Sequence, residues 1–120
     1  MSKISIRFFD KKEIRAIWDG QNDKWWFSVL DVVRILAESE DYNKARNYWK
    51  WLKNKLAKEK NEVVSATNQL KLKAPDGKRR LTDTLDSNGV IKLAKVFPGK
   101  KSTAFLEWFV YDDNTIDGQK

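Results

Sequence analysis

The stretch Trp25–Lys60, WWFSVLDVVRILAESEDYNKARNYWKWLKNKLAKEK, decides how the rest of the chain is read. Its second half follows the helical period. Taking Ala45 as origin, Tyr48, Trp49, Leu52 and Leu56 follow at i+3, i+4, i+7 and i+11, an apolar stripe wide enough to dock on a core. The opposite side carries Asn47, Lys50, Asn54 and Lys58, with Lys44, Arg46, Lys53 and Lys55 on its shoulders. Trp51 lies about 120° from the stripe, among these polar groups. Two readings of Trp51 stay open here. It packs beneath a loop or hairpin, or it joins the two asparagines on a surface that meets a polyanion.

Before this helix, Ser28 with Asp31 three residues on makes a start resembling a capping box. Val29, Val32, Val33, Leu36 and Ala37 then mark a short helix that buries one face. Glu38-Ser39-Glu40-Asp41 ends it and sets acids at the positive end of the basic helix. Two helices so joined resemble a helix-turn-helix in outline, a pattern many helix pairs share. Further upstream, Ile4, Ile6 and Phe8 alternate with Lys3, Ser5 and Arg7, which predicts a half-buried strand with the apolar set inward. Glu13–Trp18 reads as a second strand and Trp25-Trp26-Phe27 as the start of a third, with polar turns between them. Short connections imply an antiparallel meander, and the aromatic run belongs to its core.

Downstream, residues 61–68 read as a polar connector. Gln69–Lys73 and Lys78–Thr82 form the arms of a hairpin around a type I turn at Ala74-Pro75-Asp76-Gly77, with Leu70 and Leu72 inward. Lys71, Lys73, Lys78, Arg79 and Arg80 give those arms their charge. Residues 85–97 form a helix capped near Asp86 or Ser87, with Val90, Leu93, Ala94 and Phe97 as its stripe and Pro98-Gly99 as its stop. Ser102 opens a last helix with Phe105, Leu106, Trp108 and Phe109 inward. The expected fold is thus α+β, one domain over residues 1–111, with residues 112–120 a polar tail.

With 120 residues and 41% apolar composition, the chain can build a single core and is not disordered. It contains no Cys and no His, which removes zinc fingers, thiol catalysis, Ser-His triads and imidazole metal sites. No P-loop, GxGxxG or nucleophile signature is present, so no cofactor and no enzymatic activity are expected. Asp10, Asp19, Asp23 and Asp76 occupy turn positions. Asp83 and Asp86 are spaced to share a metal, but capping the following helix accounts for them better, and a metal-dependent nuclease is the minority reading. No run of 18 apolar residues and no signal peptide occur, so a cytoplasmic location and no membrane partner are expected.

Charge placement says more than the net +7. From Tyr42 to Arg80, twelve Lys and Arg stand against Glu59, Glu62 and Asp76, while the rest of the chain is slightly acidic. A single lysine-rich helix is ordinarily a solvated face. Two basic elements close in sequence favour a nucleic-acid partner instead.

Several short motifs resemble the N-terminal domain of the BRO family, found in prophage antirepressors and in repeated reading frames of large DNA viruses. They are Ile6-Arg7-Phe8-Phe9, Trp26-Phe27 with Asp31-Val32, Asp76-Gly77-Lys78, Gly89-Val90 with Leu93, and Phe105-x-x-Trp108, spread in order over residues 4–110. The chain departs from the family pattern at Glu38-Ser39, where a Gly-Tyr pair is usual, and at Ser102. The resemblance implies a DNA-binding domain of a phage-type regulator in a bacterial host, normally followed by a variable C-terminal domain for which residues 112–120 would begin the linker. Expected partners are DNA, in the first instance duplex, and a repressor protein. Single-strand or RNA binding, repressor neutralisation by direct docking, and a homodimer are the alternatives.

Overall fold

The computed structural model describes residues 3–74, 76–97 and 99–113, with the side chains of Asp112 and Asp113 excepted. The order of elements is β1 (Ile4–Phe9), β2 (Lys12–Asp19), β3 (Lys24–Ser28), α1 (Val29–Leu36), α2 (Tyr42–Lys58), α3 (Glu62–Ala66), β4 (Asn68–Lys73), β5 (Arg79–Leu85), α4 (Ser87–Lys95) and α5 (Lys100–Trp108). A wider π turn, Phe109–Asp113, extends α5. The α+β class and the β1–β2–β3 meander agree with the sequence reading. All strands pair antiparallel in one sheet of order β1-β2-β3-β5-β4.

The β1–β2 turn needs only two residues because Asp10 and Lys11 both adopt positive φ, 51° and 65°. That geometry matches the twist of the flanking strands. It sets the register Phe9↔Lys12, Arg7↔Ile14, Ser5↔Ala16. The face so formed, with Phe27 and Leu85 from β3 and β5, lies under the helices. Phe9 packs edge-on to Phe105, with centroids 5.5 Å apart, and Phe27 meets Phe109 at 5.0 Å. Gly89 brings α4 onto β5: a Cβ there would stand 2.8 Å from Leu85 Cδ2.

The alternation in β1 is real, but its inward phase is the reverse of the expected one. Ile4, Ile6 and Phe8 are exposed, whereas Arg7 and Phe9 are buried. Arg7 is accommodated because its guanidinium lies over Trp25 and Phe27, 4.9 and 5.1 Å from the ring centroids. Residues 61–68 are not simply a connector, since α3 forms there, capped by Asn61 and anchored by Val63. The last helix starts at Lys100; Ser102 is buried inside its first turn and donates to the carbonyls of Phe97 and Gly99. Pro75 and Pro98 lie outside the described residues, although Gly77 N–H does donate to Ala74 O across the hairpin turn.

On α2 the expected stripe is buried at Ala45, Trp49, Leu52 and Leu56. Tyr48 is the exception. It sits at the margin, stacked on Phe97 with centroids 5.4 Å apart. Trp51 does not pack under another element. It is 56% exposed and touches Tyr48 edge-on. Leu52→Ala should therefore cost about 2 kcal/mol or more. Trp51→Ala should stay within about 0.5 kcal/mol, and paired thermal melts will read the difference.

Candidate nucleic-acid interface

The basic helix α2 is secured at both ends. The Asp41 carboxylate accepts from Asn43 N–H at 2.8 Å, and Lys55 and Lys58 stand in the last turn, where the helix dipole favours cations. Its position against the hairpin is set by Asp83 of β5. Trp49 Nε1 and Lys53 Nζ both donate to Asp83 Oδ2 at 2.8 Å, and Gln69 Nε2 donates to Oδ1 at 3.1 Å. Burial opposes ionisation of Asp83, but these three donors outweigh it and hold the carboxyl below its ordinary range. A depressed folded-state pKa contributes stability that is complete above the unfolded value, about 3.9, and is lost as pH falls through the folded value. Asp83→Asn should therefore lower the melting temperature at pH 7, and the gap to the parent should narrow as the pH is taken below about 3.9. A gap that is constant with pH would mean that the Asp83 charge contributes nothing.

Between α2 and the hairpin runs a groove of about 820 Å³. Arg46, Lys50 and Lys53 line its α2 side, and Arg80, Leu81 and Thr82 line its β5 side. Arg46 is steadied by a bond to Asn43 Oδ1 at 2.7 Å, and Arg80 by an ion pair with Asp76. Lys53 is committed to Asp83, while Lys50 is exposed with no carboxylate in reach among the described residues.

Below the groove lies a polar cluster that no pattern in the sequence marks. Asp31 is fully buried at the start of α1, its N–H donating to Ser28 Oγ. Arg15 of β2 donates to its carboxylate through the backbone N–H at 2.9 Å, Nε at 2.8 Å and an Nη at 3.1 Å, and Tyr42 O–H donates at 3.1 Å. Burial works against the Arg15 charge, but its bond to Asp31 and their mutual attraction leave the pKa above normal. Burial and the Asp31 charge push the Tyr42 phenol upward, the neighbouring Arg34 opposing. The second Nη of Arg15 reaches Lys73 O at 2.9 Å, tying the hairpin to β2. Arg34 stacks on Tyr42 at 4.7 Å and, with Lys12, pairs with Glu40. The capping-box spacing pointed to Asp31 as a cap, but nothing local links it to a residue sixteen positions earlier.

The expected site residues thus fall into separate groups. Arg46, Lys50, Lys53 and Arg80 share the groove. Lys71, Lys73 and Arg79 line a different cleft on the other side of the hairpin, and Lys78 is exposed at its tip. Asn47, Trp51, Asn54, Lys55 and Lys58 are exposed on the outer sides of α2, away from the groove, with Lys55 Nζ 5.7 Å from the Trp51 ring centroid. Lys44 lies beside Tyr48 and Phe97. Asp86 caps α4, accepting from Gly89 N–H, and Asp83 is held by α2, so the two do not converge. Among the described residues, no group of three or more carboxylates is arranged to hold a metal, and no helix is long and apolar enough to cross a membrane. No family model, curated protein or solved structure matches the chain.

Proposed function

We propose that this chain is a DNA-binding domain of a phage-type antirepressor or transcriptional regulator, acting on duplex DNA through the groove between α2 and the β4–β5 hairpin. The observation that carries the reading is the convergence of Arg46, Lys50 and Lys53 on one wall with Arg80 on the other. Cations held on two rigid elements match a run of phosphates, and guanidinium groups suit phosphate oxygens by geometry. The motifs shared with the BRO N-terminal domain favour the same partner, and no catalytic role is assigned to any residue. Duplex binding should weaken with salt at about −0.9 in log affinity per phosphate, so Arg46, Lys50 and Arg80, with Lys53 held by Asp83, predict a slope near −3. A salt-independent affinity would overturn the electrostatic reading and favour a repressor protein as the partner.

A second reading rests on Trp51 and Tyr48. Exposed aromatic side chains flanked by Lys55 are suited to stacking single-stranded bases. Gel shifts with duplex and single-stranded DNA of one sequence separate the two. Trp51→Ala should weaken only the single-strand complex, whereas Lys50→Ala should weaken the duplex complex and reduce its salt slope by about one. Asn47 and Asn54 have the side-chain chemistry to read adenine but lie outside the groove, so with the duplex in the groove their alanine variants should leave sequence preference and slope alone. A relaxed preference in either variant would move the duplex from the groove to the outer side of α2.

A further inference from the structure

Strand β3 ends at Ser28, where the chain turns into α1, while β2 and the hairpin run on beyond it. The gap between them is an open cleft of about 780 Å³, bordered by β1, β2 and the hairpin and, from the helices, by Arg34 of α1 and Tyr42 of α2. That is the size range of small-molecule sites. Arg15 lines it and is committed to Asp31, so its own charge is already answered.

Two features of the lining are unusual together. Ile4 and Ile6 of β1, with Ile17 beside them on β2, make an apolar wall although Ile4 and Ile6 are 61% and 50% exposed. Facing it are Lys71, Lys73 and Arg79 of the hairpin, with Lys11 from the β1–β2 turn. None of these four cations has a carboxylate within ion-pair range among the described residues, and Glu13 is the only acid in the lining. A lone carboxylate would leave most of that field unanswered. Several negative charges on one small ligand would answer it, and a flat body would cover the isoleucines.

We propose that this cleft binds a phosphorylated small molecule of nucleotide size, its phosphates on Lys71, Lys73, Arg79 and Lys11 and its base against Ile4, Ile6 and Ile17. The proposal goes beyond DNA binding, because the apolar wall and Lys11 lie outside the α2 groove. Calorimetric titration of the full chain with ATP, tripolyphosphate and adenosine tests it. ATP should bind at least about tenfold more tightly than tripolyphosphate, and adenosine should bind more weakly than either. Ile6→Ser, at a half-exposed position, should leave the melting temperature and duplex affinity unchanged. It should lower ATP affinity severalfold and leave tripolyphosphate alone. Lys73→Ala should weaken ATP and tripolyphosphate alike. Equal binding of ATP and tripolyphosphate, an Ile6→Ser variant with parental ATP affinity, or no saturable ATP binding up to about 1 mM would each overturn the proposal. Duplex affinity measured on the same samples keeps its failure separate from any failure of the DNA reading.

Discussion

Asp31→Ala is expected to destabilise the domain by about 3–5 kcal/mol, the effect of stripping a buried ion pair of one partner. The carboxylate is fully buried and accepts from Arg15 at three nitrogens and from Tyr42. Without it the Arg15 guanidinium, whose side chain is only 14% exposed, keeps its charge and loses its counter-ion. The Arg15 backbone N–H loses its acceptor as well. The cost falls on α1, β2 and the hairpin together, because Arg15 also holds Lys73 O. A drop in melting temperature of roughly 10–25 °C is the expected readout for a domain of this size. Arg15→Met in the Asp31→Ala background should recover part of it, since removing the orphaned charge relieves the larger penalty. A loss below about 1 kcal/mol for Asp31→Ala would show that water or another anion takes over the site.

The combined variant Arg46→Ala, Lys50→Ala, Arg80→Ala should lower duplex affinity by about a hundredfold or more near 0.1 M salt, and should flatten the salt slope by about 2.7. Lys53 is left in place because it closes on Asp83, and its removal would mix folding with binding. The three chosen side chains are exposed, so the variant should fold as the parent does, and a melt checks this. The matching control is Lys44→Ala, Lys55→Ala, Lys58→Ala. It removes the same charge from faces of α2 that do not line the groove. If both triple variants lose affinity equally, only net charge matters and the groove has no special role. Loss confined to the first ties binding to the two facing walls.

What the sequence determined by itself is what repeats locally. Residues one helical turn apart share a face wherever the helix is placed, so the Ala45, Trp49, Leu52, Leu56 stripe was legible. The same holds for the caps at Ser28 and near Asp86, whose bonds span three residues. The three-strand meander followed from short polar turns between apolar runs. In β1, however, a period of two offers two faces, and the one the helices cover is the less apolar, Ser5, Arg7 and Phe9, while Ile4, Ile6 and Phe8 stay exposed. Only the aromatic surface of Trp25 and Phe27 decides which is buried, because it makes a place for the Arg7 guanidinium.

The partition of the cations was likewise a tertiary decision. Counting charge along residues 42–80 joins α2 and the hairpin into one basic region. Strand alternation instead parts Arg80 from Lys71, Lys73 and Arg79, and in the folded domain Arg80 lines the α2 groove while the other three line the cleft beyond it. Asp31 and Arg15 meet because β2 lies beside the strand that leads into α1, a contact sixteen residues apart with no periodic trace. Periodicity carries information over a few residues, whereas electrostatic pairing depends on distance in space, which the chain sets only once its elements have packed.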